Sequence, residues 1–208
     1  MDKTEKTISA YNKYSQEFAN KFMDFELYSE RVKEFYELLN VKDSILDLGC
    51  GPGNVSKQLL SYGKEFSIIG VDLSEEMVKL AQQNVPNANF SCHDIRNINF
   101  EEESFHAIIM SFCIVHLTGD EMILLIKKVS KYLKKNGKVF LSFMQGDNEI
   151  FETTSFSNEE IYFKFYMSSE VERILKDNGI STLKTIKQEY PELDGTLTTD
   201  VFIFGEKQ

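Results

Sequence analysis

Arginine, cysteine and long apolar runs are all scarce in this sequence, and each shortage rules something out. Only Arg31, Arg96 and Arg173 carry a guanidinium, and the net charge is −10 with a pI near 4.9. So acidic a chain repels phosphate backbones, and no nucleic-acid partner is expected. The lysines between 127 and 135 are the one basic run. They read as the solvated C-terminal half of a helix, where cations suit the helix dipole. Cys50, Cys92 and Cys113 are an odd number without paired spacing, each in or beside an apolar stretch. They read as buried thiols in a reducing cytoplasm, not a disulfide frame or a zinc site, and no metal is expected. No apolar stretch approaches the ~20 residues of a membrane span. The polar start, Met1–Lys6, offers no secretory leader. The expectation is a soluble cytoplasmic protein with no membrane partner, a monomer or homodimer.

With 208 residues, 42% of them apolar, the chain can build one sizeable core. Apolar periodicity predicts a helix over 4–22, with Ile8, Tyr11, Phe18 and Phe22 on one side, and a second over 27–39. Both are too short to fold alone, so residues 1–40 read as an N-terminal helical cap. The centre is Ile45–Gly53, Ile-Leu-Asp-Leu-Gly-Cys-Gly-Pro-Gly. An apolar strand, 44–48, carries Asp47 and stops at three glycines, after which a helix runs over 54–62. Strands follow at 66–71, 89–92, 105–113 and 138–143. Helices are predicted at 74–84 and from the capping box Thr118–Glu121 to Lys135. Residues 144–167 read as irregular and aromatic-rich, a lid or acceptor segment. A helix from Ser168 to Asn178 then leads to strands 181–188 and 199–204. These are joined by the turn Pro191–Gly195 and pair antiparallel. The fold class is α/β: a doubly wound, seven-stranded, mostly parallel sheet with an antiparallel C-terminal hairpin and helices on both faces. The whole reads as a single domain, with 41–143 as its ligand-binding core and 168–208 as its closing helix and hairpin.

The glycine turn sits where open α/β sheets bind ligands, at the carboxyl end of a strand. Its spacing is G-x-G-x-G. A dinucleotide fold wants the third glycine one residue later, and no Gly-Lys-Ser/Thr follows to make a phosphate loop. Asp72 ends the second strand, where a carboxylate accepts from a ribose diol. Asp94 ends the third, able to accept from an exocyclic amine, with Ile95 beside it for a ring face. Three carboxylates at successive strand ends make a negative pocket, unsuited to pyrophosphate and suited to a cation.

These blocks resemble the class I S-adenosylmethionine-dependent methyltransferases. The resemblance rests on Asp47–Gly53, on Gly70-Val-Asp72-Leu-Ser-Glu-Glu-Met77, on Cys92-His-Asp94-Ile95, on Ser111–Leu117 and on Gly137–Leu141. It implies S-adenosyl-L-methionine as cofactor and a small-molecule methyl acceptor as partner. By the same resemblance Asp47, Gly49, Cys50 and Gly51 surround the methionyl part, with Asp47 towards its amino group. Asp72 holds the ribose, Leu73 and Met77 flank the adenine, and Asp94 and Ile95 meet its edge and face. Ser111 and Phe112 lie near the sulfonium, and Tyr11 closes over the cofactor. Arg31 could reach the cofactor carboxylate or form a surface ion pair. His116, just after the fourth strand, is the candidate general base, a role needed only if the acceptor must lose a proton. His93 and His106 read as structural, and Tyr166 as either an acceptor contact or packing. Scarce arginine disfavours a phosphorylated acceptor. Two other readings stay open: a regulatory protein that binds the cofactor without turnover, and an NAD-dependent oxidoreductase, which the glycine spacing opposes.

Overall fold

The computed structural model describes residues 2–192 and 195–208. Helices α1 (Lys3–Lys13), α2 (Ser15–Phe22) and α3 (Ser29–Glu37) precede the first strand, with a short 3-10 turn, Glu26–Tyr28, between the last two. Then come β1 (Ser44–Leu48), α4 (Asn54–Ser61), β2 (Ser67–Asp72), α5 (Glu75–Asn84), β3 (Asn89–Cys92) and β4 (Phe105–Ser111). After a 3-10 turn, Ile114–His116, follow α6 (Gly119–Tyr132), β5 (Leu133–Met144), β6 (Glu149–Thr154) and β7 (Ser157–Lys164). The chain closes with α7 (Ser168–Asp177), β8 (Ile180–Pro191) and β9 (Leu197–Lys207).

Seven strands form one sheet in the order β3-β2-β1-β4-β5-β9-β8. The first five run parallel, and β9 lies antiparallel between β5 and β8. This is the predicted doubly wound sheet with its antiparallel end. Side chains of period two divide the core between the faces. Leu46, Leu48, Ile108 and Met110 pack with Leu125, Ile126 and Val129 of α6 and Ile174 and Leu175 of α7. Ile45, Ala107 and Ile109 pack on the other face with Phe35 of α3 and Val55 and Leu59 of α4. Each fully buried Leu or Ile contributes about 1.5–3 kcal/mol of transfer free energy. From β1 the chain steps outward through β2 to β3, then returns to β4 on the other side. That reversal opens a crevice at the carboxyl ends of β1 and β4.

Several boundaries differ from the sequence reading. The first helix breaks at Tyr14 (φ −113°, ψ 25°), where its axis turns, and the second starts with a 3-10 turn. No helix links β3 to β4; residues 93–104 cross as a loop with a turn at 95–97. The Thr118 capping box forms as expected, but α6 stops at Tyr132, short of Lys135. Leu133 is instead captured by pairing with Phe105, and Asn136 takes φ +61°. A Cβ on Gly137 would meet the Lys134 carbonyl at 2.7 Å, so this irregular strand entry requires glycine. The largest correction concerns 144–167. It is not irregular: β6 and β7 form a separate antiparallel hairpin turning at Ser155–Phe156. Cys50 and Cys113 are buried, whereas Cys92 is exposed. The turn Pro191–Gly195 includes residues 193 and 194, and the polar start includes Met1; these three lie outside the described residues.

Candidate active site

The site candidates from the sequence, Arg31 and Tyr166 excepted, line a single cavity of about 990 Å³ over the crevice between β1 and β4. Its floor is the glycine turn. Gly49, Gly51 and Gly53 all have positive φ, at +65°, +52° and +84°. Their surroundings differ. A Cβ on Gly49 would lie 2.4 Å from the Cys113 Cβ, so Gly49 is where the turn meets the β4 loop. Gly53 presses on Ala81 and Val85 at the end of α5. Gly51 has nothing nearer than Phe18 at 3.7 Å, so its bare backbone faces the cavity.

Two carboxylates sit beside that turn. Asp47, only 1% exposed, accepts the Ser56 hydroxyl at 2.7 Å. Burial pushes its carboxyl up to about 7 against the pull of Ser56, and the nearby Asp72 charge adds to the rise. Asp72 accepts the Gly51 N–H at 2.8 Å on one oxygen and the Ser74 N–H at 2.9 Å on the other. Burial raises it too, and those backbone donors oppose the rise. Neither carboxylate forms an ion pair among the described residues, so this end of the cavity favours a positive ligand. Leu73, Met77 and Ile95 line the wall beyond Asp72.

Asp94 differs. Arg96 holds both its oxygens, with Nε at 2.9 and 3.0 Å and Nη2 at 2.6 Å, and reaches Glu121 at 2.7 Å. Burial would raise the Asp94 carboxyl, but the Arg96 hydrogen bonds hold it below the usual range. Arg96 was not singled out in the sequence; its position two residues after a strand-end aspartate was the available signal.

Phe112 stands at the end of β4 with φ +50°, unusual for a bulky side chain, fixed by its N–H donating to Ser142. That conformation stacks its ring on Tyr28 at 5.4 Å. Ser111 pairs with the Ser142 hydroxyl at 3.3 Å. His116 Nδ1 lies 2.8 Å from the Tyr162 carbonyl, an atom that can only accept, so Nδ1 carries the proton. Nε2 is then a lone pair, and the Tyr11 hydroxyl donates to it at 3.0 Å. Burial lowers the imidazole pKa to about 4 and raises the Tyr11 hydroxyl well above its ordinary value, so both groups are neutral near pH 7. Tyr11 also stacks on Phe156 at the hairpin tip, and Phe156 meets Phe18 and Phe22 edge-on.

Arg31 pairs with Glu34 at 2.8 Å and with Glu30, away from the cavity. Tyr166 is buried, donating to the Leu117 carbonyl at 2.8 Å, and does not line the cavity. His106 lies within β4 against Ser44. Tyr28 and Asp200 are cavity residues the sequence did not mark. Each is brought there by a distant element, and no local motif announces it.

A family model for the methyltransferase domain matches residues 45–137, from the start of β1 into β5. Over those residues the chain is similar to methyltransferase domains. Its sheet, with β9 reversed beside β5, is the fold of the class I S-adenosylmethionine-dependent enzymes. An uncharacterized methyltransferase of Oceanobacillus iheyensis is 31% identical over 137 residues, covering 66% of this chain and 60% of that protein. The malonyl-[acyl-carrier protein] O-methyltransferase of Bacillus cereus is 28% identical over 196 residues, covering 93% and 67% respectively. The chain spans about half to two thirds of the length of the curated relatives it matches first. Among solved structures, the 1,6-didemethyltoxoflavin-N1-methyltransferase of Burkholderia thailandensis superposes with a TM-score of 0.75. That match is 15% identical and covers 99% of this chain and 88% of that one. The matched stretch holds β1, the glycine turn, α4, β2, α5, β3, β4 and α6. The N-terminal cap and everything after residue 137 fall outside the family match.

Proposed function

We propose that the protein transfers a methyl group from S-adenosyl-L-methionine to a small-molecule acceptor. The observation that carries this reading is the pairing of an open glycine backbone at Gly51 with two carboxylates in one cavity, Asp47 buried and Asp72 half-buried, neither in an ion pair among the described residues. A cationic nucleoside fits that donor set; a pyrophosphate would meet like charge. The volume, about 990 Å³, lies at the upper end of small-molecule sites and leaves room for a cofactor and a second small molecule. The Burkholderia neighbour holds S-adenosylhomocysteine and a small heterocycle, 1,6-didemethyltoxoflavin.

Asp47 faces the cofactor's amino group, Gly49, Cys50 and Gly51 line its methionyl part, and Asp72 accepts from its ribose. Leu73, Met77 and Ile95 enclose the adenine. Asp94 is held by Arg96 and contributes through its fixed position at the adenine edge. Ser111 and Phe112 border the reacting centre. The cofactor supplies an activated methyl group, and the protein's task is to align an acceptor behind it and exclude water. Tyr11, Phe18 and Phe156 close the aromatic lid. Where an acceptor hydroxyl must lose a proton, it passes to the Tyr11 oxygen as Tyr11 hands its own to His116 Nε2.

Incubation with methyl-labelled cofactor and a panel of small acceptors, followed by product detection, tests this reading. Cofactor-dependent label in at least one acceptor is expected. Tight cofactor binding without product across a broad panel would point instead to a binding protein.

A further inference from the structure

On the far side of Phe112 from the glycine turn, the cavity holds a second environment. Asp200, on β9, is 2% exposed, yet it lines the cavity. The sheet register places it: Ser111 pairs with Ser142, Ser142 with Phe202, and Asp200 lies one pleat further along β9. It is therefore two strands, or about 10 Å, across the sheet from the end of β4. Its one recorded donor among the described residues is the Tyr28 hydroxyl, 2.5 Å from Oδ2. No ion pair joins it to any cation among the described residues. Burial, with the charges of Glu192 and Glu189, pushes its carboxyl up to about 7 against the Tyr28 hydrogen bond.

That Tyr28 donor stands in a cluster of aromatic rings. Tyr28 packs on Phe112 at 5.4 Å, on Phe202 at 5.3 Å and on Phe25 at 5.0 Å, and Tyr190 closes the group at 6.4 Å. All five rings line the cavity. Glu152 of the lid hairpin and Glu192 add further carboxylates. The cavity's two cations are already engaged, Lys57 with Asp24 at 3.2 Å and Arg96 with Asp94 and Glu121. At the rim, Lys21 donates to the hydroxyls of Ser155 and Tyr190 and makes no ion pair with Asp200, Glu152 or Glu192. A buried carboxylate beside a cluster of aromatic rings in one cavity, with no cation of its own among the described residues, is an arrangement that binds organic cations.

We propose that the methyl acceptor is an organic amine, with Asp200 and the aromatic cluster of Tyr28, Phe112 and Phe202 as its specificity determinants. This rests on the methyltransferase reading above. A protonated amine entering the cavity gives one proton to the Asp200 carboxylate. The nitrogen lone pair forms the new N–C bond as the C–S pair leaves with the thioether, and the product departs as a methylammonium. The proton on Asp200 then returns to solvent.

The test uses the full chain saturated with S-adenosylhomocysteine, titrated calorimetrically with phenethylamine and with its carboxylate counterpart, 3-phenylpropionate. The amine is expected to bind and the carboxylate not. Asp200→Asn is expected to weaken amine binding at least tenfold and Glu152→Gln about threefold, both with unchanged S-adenosylhomocysteine affinity. As a readout independent of any variant's folding, the carboxyl carbon resonance of Asp200 in the wild-type protein should report a lower pKa when the amine binds. Equal binding of both probes, binding of neither, or amine binding indifferent to both substitutions would overturn the proposal. Failure of S-adenosylhomocysteine itself to bind would overturn the underlying reading instead.

Discussion

The two ends of the cavity are built by different means. At the glycine turn, one continuous stretch from β1 to β3 supplies nearly every contact, and backbone geometry does the shaping. At the Asp200 end, the 3-10 turn before α3, the β4 end, the lid hairpin and β9 each contribute a side chain or two. The first end suits a constant ligand, because its shape depends on glycines and backbone hydrogen bonds that few substitutions can imitate. The second can be retuned one side chain at a time, as an acceptor site requires.

The sharpest way to break this contrast is within the turn itself. Gly49→Ala meets the Cys113 Cβ at 2.4 Å and carries a left-handed φ. Overpacking and backbone strain together should cost about 3–4 kcal/mol of folding stability in urea denaturation. Gly51→Ala has open space and only the φ penalty, about 1–2 kcal/mol. Equal losses would contradict the separate jobs assigned to these glycines.

Next come the strand-end carboxylates. Asp72→Asn should weaken S-adenosylhomocysteine about 10- to 100-fold by calorimetry, the scale of lost hydrogen bonds to a charged group. Asp94→Asn should cost the ligand only a few-fold, because Arg96 already engages both oxygens. The reverse order would make Asp94 the main anchor.

A smaller effect is expected with pH. Asp47 holds its proton up to about pH 7 in the free protein. A cationic ligand favours the ionised form, so affinity for S-adenosylmethionine should rise as pH climbs towards 7 and level above it. Asp47→Asn should flatten that profile. The same raised pKa acts on folding: the native state binds this proton more tightly than the unfolded chain. Its stabilisation is therefore full below about pH 4 and lost as pH rises through about 7. His116 runs oppositely. Its pKa falls to about 4, so its contribution is full above the unfolded value near 6.5 and lost as pH falls towards 4.

The smallest change is expected at the lid. Phe156→Ala removes one ring from the contacts with Tyr11, Phe18 and Phe22, worth about 1 kcal/mol of stability by thermal unfolding. Retention of full stability would place the hairpin tip outside the packed lid.

Legibility follows the same division. The order of strands, the glycine turn, Asp72 and the Thr118 cap are written in contiguous residues with fixed spacing, and a sequence shows them directly. The hairpin of β6 and β7 was hidden because its turn, Ser155–Phe156, lacks the Asn-Gly or Gly signals that mark two-residue hairpins. The end of α6 was hidden because pairing with Phe105 overrides helix propensity at Leu133. Tyr11 on His116 and Tyr28 on Asp200 are meetings of residues that only the folded chain brings into contact; the last pair lies 172 positions apart.

Thermal unfolding with and without S-adenosylhomocysteine, with NADH as the control nucleotide, bears most directly on the cavity as a methyl-donor site. At a ligand concentration about 100-fold above its Kd, stabilisation of about 2.7 kcal/mol should raise the Tm by about 5–10 °C. NADH should leave it unchanged. No shift with millimolar S-adenosylhomocysteine, or an equal shift with NADH, would contradict the assignment.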